Sequence, residues 1–184
     1  IGEDSMQIKK ENFANYEQFI NNFNIKAPEN FNFAFDVVDA KALENPGQAA
    51  MIHIDDDLVK REYDMSFFSK ESSRLANALK EQGIGKGDRV MLILYRRVEF
   101  WITMLALHKL GAVAIPSPGM LRPKDIVYRV NFAGIKGVIA EQGIAHNVEE
   151  ARKDCDSLKV FICLDHGQGL DDWLDYYHIC SQAE

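Results

Sequence analysis

A single run, Arg89 to Pro116 (RVMLILYRRVEFWITMLALHKLGAVAIP), constrains the fold more than any other part of the chain. Val90 to Tyr95 is apolar-rich, long enough for a strand and too short for a self-sufficient helix. After Arg96 and Arg97 comes an apolar run at helical length, Val98 to Leu110, and Gly111 stands where a left-handed residue ends such a helix. A second short apolar run, Ala112 to Ile115, stops at Pro116, which cannot donate to a sheet ladder. Strand, helix and strand with short joints predict a βαβ crossover and hence two parallel neighbouring strands. Val98, Phe100, Trp101, Ile102, Met104, Leu105, Leu107 and Leu110 leave this helix apolar nearly all round, which predicts burial on more than one side.

With 184 residues the chain suits one domain with a sizeable core, or a piece of something larger. The net charge of -7, without any lysine or arginine stripe, argues against a nucleic-acid backbone binder. Cys155, Cys163 and Cys180 are scattered, an odd count that fits reduced thiols better than a disulfide framework. No apolar run approaches the roughly 18 residues of a membrane span, and no signal sequence opens the chain. These features predict a cytoplasmic protein. Ile1 to Ser5, ahead of Met6, reads as a tag remnant, so residues 1–30 divide off as tag remnant and helical lead-in from a domain over 31–184.

In chain order, Asn12 to Asn24 sets Phe13, Tyr16, Ile20 and Phe23 on one helical face. Past a polar linker, Phe33, Val37, Ala40 and Leu43 share a second face, ended by Pro46-Gly47. Both stripes read as core contacts. Asp55, Asp56 and Asp57 sit between two strand-like runs and predict a hairpin with an acidic turn; the alternating ligands, glycine and closing glutamate of a calcium loop are missing. Asp64 caps the next helix, whose stripe is Phe68, Leu75, Ala76 and Leu79 and whose stop is Gly83. Gly85-Lys86-Gly87-Asp88 precedes a strand, whereas phosphate loops follow one, so it reads as a turn.

Beyond Pro116, the loop SPGML lies at the carboxyl end of a predicted parallel strand, where open α/β sheets hold ligands. Pro123 and Asp125 suit the first turn of a helix facing the core through Ile126, Val127, Val130 and Ala133 and closed by Gly134. A strand (137–141), a helix (145–155), a strand (159–164) and a mixed segment complete the chain. The order predicts an α/β fold, a doubly wound, mainly parallel sheet with flanking helices.

No G-x-x-x-x-G-K-[ST], G-x-G-x-x-G or G-x-S-x-G is present. His53, His108, His146, His166 and His178 are dispersed; His178 with Cys180 is a weak metal hint, and His108 reads as a hydrogen-bonded core residue. Catalytic and metal residues are therefore predicted to be none.

SRLANALKEQGIGKGDRVMLILYRRVEFWITMLALHKLGAVAIP, then RPKDIVYRV, resemble the N-terminal part of the adenylate-forming acyl-CoA synthetases, within them the acetyl/medium-chain branch. FNFAFDVVDA upstream and DDWLDYY downstream resemble the same branch, so the resemblance runs from about Phe31 to the end. It implies an enzyme that activates a short- or medium-chain carboxylic acid with ATP and Mg²⁺ to an acyl-adenylate and lets the CoA thiol displace AMP. The family's phosphate loop, T-S-G-T-T-G-x-P-K, and its later motifs are absent from the chain. The resemblance thus implies the first third of the enzyme, a truncated AMP-binding domain that is inactive alone and holds no cofactor by itself. Two departures stand out: Asp64 and Phe67 where the family carries threonine or serine and glutamate, and Ser117, Pro118, Gly119 and Met120 where it carries glycine, threonine and a polar residue near the CoA tunnel. Ser117, Gly119 and Met120 are the candidate CoA-tunnel loop on this resemblance.

Implied partners are the remainder of the enzyme chain, the small acid, ATP and CoA, with no nucleic acid and no membrane span. The alternative is a free-standing α/β binding or assembly module, consistent with several complete β-α units and no catalytic set. On the fragment reading, the apolar excess on the helix Val98 to Leu110 predicts exposed apolar surface and a two-fold homodimer, whereas a strictly monomeric chain would favour the free-standing module.

Overall fold

The computed structural model describes residues 12–24 and 28–183, so the tag-remnant reading of Ile1 to Ser5 lies outside the described residues. The described chain begins with α1 (Tyr16–Asn22), a π-helical turn (Ala34–Asp39) and α2 (Ala40–Glu44). Strands β1 (Ala49–Ile54) and β2 (Lys60–Asp64) then pair antiparallel across the predicted acidic turn. Asp55 organises that turn: its Oδ1 accepts the Asp57 and Val59 N–H groups at 3.2 and 2.9 Å, and Arg61 donates to its Oδ2 at 2.7 Å. These bonds hold the Asp55 carboxyl below its ordinary range, the Val59 N–H contributing most.

α3 (Met65–Glu81) starts where its cap predicts, the Asp64 carboxylate accepting the Phe67 N–H at 2.7 Å. The βαβ unit follows as β3 (Arg89–Ile93), α4 (Val98–Leu110) and β4 (Val113–Pro116). Gly111 ends α4 at φ +67°, and the Ala112 N–H reaches back to the Leu107 carbonyl at 2.9 Å, satisfying the helix end. Then come α5 (Pro123–Ala133), β5 (Gly137–Glu141), α6 (Gln142–Arg152), β6 (Val160–Leu164), β7 (Leu174–Asp175) and α7 (Tyr176–Gln182). α6 begins at Gln142 rather than Ala145 because β5 runs straight into it, and turns carry the chain past Cys155.

Among the described residues, β4-β3-β5-β6-β7 form one sheet, every neighbouring pair parallel. Its strands are buried on both faces by alternation. Val90, Leu92, Ile139, Ile162 and Leu164 point into one core with α3 and α4, while Met91, Ile93, Val138, Ala140, Phe161 and Cys163 point into a second with α5 and α6. Helices on both faces make the fold a doubly wound α/β sheet.

Three sequence expectations change. The stripe on α1 is not core: Tyr16, Ile20 and Phe23 are exposed and α1 buries no residue. The rings of Phe13, Phe19 and Phe23 pack on one another at 4.9–6.4 Å. In the next stripe Phe33 and Leu43 are exposed, and Ala34 and Val38 are buried instead. The wider π-helical turn rotates side chains off a 3.6-residue face, and polar ties dock this segment. Asn32 Nδ2 donates to the His108 carbonyl at 2.7 Å, and the buried Lys109 Nζ donates to Asp39, the Ser69 carbonyl and Ser73 Oγ at 2.9, 3.0 and 2.8 Å. Finally, α4 carries no spare apolar face, because the sheet takes one side and α3 the other, leaving Trp101 exposed. Further exposed apolar side chains lie on α5, at Tyr128 and Phe132. No described helix is long and apolar enough to cross a membrane.

Candidate functional site

The connection from β3 leaves over one face of the sheet through α4, and that from β5 over the other through α6. Their carboxyl ends therefore part at a crevice, the position where open parallel sheets receive ligands. Tyr95 and Glu141 stand at this opening, and the Glu141 carboxylate accepts the Tyr95 N–H at 2.7 Å, pinning one strand end to the other. The loop after β4 closes against them.

Of the candidate loop residues, Ser117 is buried, its Oγ donating to the Ile115 carbonyl at 3.3 Å and its N–H to the Leu92 carbonyl at 2.8 Å. Gly119 lies under Tyr95: a Cβ there would stand 2.5 Å from the ring Cζ, so any larger residue would have to displace the exposed ring. Met120 is 88% exposed and projects from the loop. The structure thus brings Gly119 to the crevice, turns the Ser117 hydroxyl inward and leaves Met120 a free apolar side chain.

A charged cluster frames the same carboxyl edge. The Arg97 guanidinium donates to both oxygens of Asp165, to Tyr177 Oη at 3.1 Å and, through Nε, to Glu99 at 3.4 Å. Tyr177 Oη in turn donates to Glu99 Oε1 at 2.7 Å. Asp165 holds Arg97 firmly charged, while burial and then the Glu99 bond push the Tyr177 phenol above its ordinary range. Asp165 adopts φ +54°, a conformation aspartate tolerates better than most residues. Near it, a Cβ on Gly167 would stand 2.1 Å from Gln142 Nε2, so the loop after β6 packs on the first turn of α6.

Sequence reading missed Tyr95, Glu141, Asp165 and Tyr177 and passed over Arg97 as a joint. Their only signal is position at the end of a parallel strand or the start of the helix beyond. The Gly85–Asp88 turn sits at the opposite edge, where Asp88 Oδ2 accepts the Gly85 N–H and pairs with Lys136 at 2.8 Å each. His108 is not the hydrogen-bonded core residue expected, since its Nδ1 is buried without a protein partner and the bond at this residue is made by its carbonyl. Among the described residues no group of three His, Cys, Asp or Glu is arranged to hold a metal. Cys155, Cys163 and Cys180 are free thiols, and burial pushes Cys163 to about 11 and Cys180 to about 12. The edge can cradle a ligand against backbone and ring.

The family described as "AMP-binding enzyme" matches residues 38–179. Acyl-coenzyme A synthetase ACSM3, mitochondrial, of Mus musculus is 34% identical over 157 residues, 80% of this chain and 27% of that protein. The Homo sapiens ACSM3 is 32% identical over 164 residues, 86% of this chain and 28% of its own. In the crystal structure of the anthranilate CoA ligase AuaEII in complex with anthranoyl-AMP, 28% of the chain superposes on 85% of this one with a TM-score of 0.73 at 21% identity. The Mycobacterium tuberculosis fatty acyl CoA synthetase gives 0.69 at 23% identity, over 83% of this chain and 28% of its own. The chain spans between a quarter and a third of the length of these relatives.

Proposed function

Because this chain belongs to the AMP-binding enzyme family, we propose that it is the opening part of an acyl-CoA synthetase, with residues 31–184 the first portion of the AMP-binding domain and 1–30 a lead-in. The observation that carries the reading is the match to acyl-coenzyme A synthetases over most of this chain but little more than a quarter of theirs. The whole enzyme would join a short- or medium-chain carboxylic acid to CoA in two steps. A carboxylate oxygen attacks the α-phosphorus of ATP, releasing pyrophosphate, and the CoA thiol then attacks the acyl-adenylate carbonyl, releasing AMP. Mg²⁺ would offset the phosphate charge during the first step.

This chain's contribution is the crevice. Gly119 lets the loop lie flat beneath Tyr95, Glu141 fixes the strand end that carries the ring, and Met120 offers contact area in place of a polar contact to CoA. A second reading, a binding or assembly module without catalysis, draws support from the two filled cores on either side of the sheet. We place the protein in a reducing compartment, the cytoplasm, on its free thiols; the ACSM relatives carry "mitochondrial" in their names.

The 184-residue chain alone is expected to release no pyrophosphate from ATP with CoA and acetate or butyrate, and to bind ATP more weakly than about 1 μM, or about -8 kcal/mol. Sequencing the transcript past the Glu184 codon separates the readings. A frame that runs on into T-S-G-T-T-G-x-P-K, whose product forms acyl-CoA, supports the reading as part of a ligase, and a stop codon sinks it; turnover by the short chain would overturn the expectation that this part is inactive alone.

A further inference from the structure

We propose that Arg96 contacts the ligand of the crevice, its guanidinium placed by His53 to take a phosphate group. This deepens the ligase reading, from which the class of ligand is taken. β3 runs into a three-residue turn: the Arg97 N–H donates to the Tyr95 carbonyl at 2.9 Å, which puts Arg96 at the apex. Other elements fasten that turn from several sides. Glu141, at the end of β5, accepts the Tyr95 N–H at 2.7 Å, and His53 Nε2, on β1, donates to the Arg96 carbonyl at 3.0 Å. Asp165 and Tyr177, beyond β6, hold the Arg97 guanidinium. A carbonyl can only accept, so Nε2 carries the His53 proton. Nδ1 is then a bare nitrogen, buried without a partner among the described residues.

One group of this fastened turn is left unused. The Arg96 guanidinium is exposed and has no hydrogen bond or ion pair among the described residues. The acids of the same edge are engaged elsewhere, Asp165 and Glu99 with Arg97 and Glu141 with the Tyr95 N–H. A fixed turn lowers the ordering cost when the guanidinium takes a ligand. Those three carboxylates repel any anion that approaches, and a single exposed carboxylate–guanidinium pair gains little against them. A phosphate group brings about two charges and two oxygens that match the planar fork of an arginine. Phosphate is therefore the ligand chemistry that Arg96 fits, and both ATP and CoA carry it. Tyr95, 58% exposed over Gly119, is the residue before Arg96 and offers its ring to the rest of the ligand.

Heteronuclear NMR of the 184-residue chain tests the proposal. CoA, ATP and inorganic phosphate should each shift the Arg96 Nε–H signal together with the Tyr95 and Gly119 amide signals, with dissociation constants on the order of 1 mM. Pantetheine, which has no phosphate, and acetate should not. Tighter binding of CoA than of ATP assigns the phosphate to CoA, and the reverse order assigns it to ATP. Arg96→Gln should weaken binding about tenfold and Arg96→Lys less, with spectra otherwise superimposable because the side chain is exposed. His53→Ala should also weaken binding, but add nothing on top of Arg96→Gln, since His53 acts through Arg96; a general loosening of the fold would weaken both alike. The proposal is overturned if no phosphate ligand shifts these signals, if pantetheine or acetate shifts them as far, or if binding is indifferent to Arg96→Gln or to His53→Ala. The outcome is separate from that of the transcript. A stop codon with Arg96-dependent phosphate binding sinks the ligase reading and leaves this site standing, and an open frame with an indifferent Arg96 does the reverse.

Discussion

α4 and α5 are successive crossover helices on opposite faces of one sheet, and their surroundings could hardly differ more. α4 lies under α3, so Ile102, Leu105, Ala106 and Leu107 meet sheet on one side and helix on the other. Among the described residues, α5 packs mainly on the sheet and α6, and it holds Tyr128 and Phe132 out to solvent. Apolar content alone did not distinguish them: the more apolar helix is the one that is covered. What matters is whether the chain supplies a second layer, and residues 65–81 supply it on one side only.

The contrast can be broken most strongly at Leu107, which is fully buried. Leu107→Ala should destabilise the fold by about 2–5 kcal/mol, read from urea unfolding at unchanged slope. Lys109, at the far end of α4, comes next. Lys109→Met strands the Asp39 carboxylate and removes the ties to Ser69 and Ser73, a loss of about 3 kcal/mol that Asp39→Asn on top should partly restore. If Lys109→Met proved neutral, the π-helical segment would be held by its apolar contacts and the Asn32 bond to the His108 carbonyl.

A milder probe uses pH. Burial raises the Cys180 thiol to about 12, so the folded chain keeps its proton where the unfolded chain, near the ordinary value of 9.0, has lost it. The stabilising difference is whole below pH 9, fades as pH rises through the interval from 9 to 12, and is gone above it. Stability should thus fall over that range, and less so in Cys180→Ala. Smallest of all, Phe132→Ser should change monomer stability by less than about 0.5 kcal/mol. A loss as large as that of Leu107→Ala would mean the two helices are equally embedded.

The sheet was legible because each strand is a short apolar run between punctuating residues. Gly111 and Gly134 end helices at φ +67° and +59°, and Asp64 and Asp125 begin them, as their positions suggest. Stripes without a tertiary partner were not legible. Phe33, Tyr16 and Ile20 have the spacing of core residues, but spacing says nothing of what lies opposite. The crevice was half legible: the loop at Ser117–Met120 follows from a strand ending at a proline. The pairing of Tyr95 with Glu141, and of Arg97 with Asp165, joins residues 46 and 68 apart in sequence and needs the strand order to be known.

The strand order also bears on how the polypeptide emerges during synthesis. β3 comes first and ends with a neighbour on each side, and every later strand joins an edge still open when it arrives: β4 beside β3, β5 on its other side, β6 outside β5, β7 outside β6. No strand must be threaded between two already paired. At roughly 5–20 residues per second of elongation, the growing sheet can fold as each β-α unit leaves the ribosome, without waiting for the next.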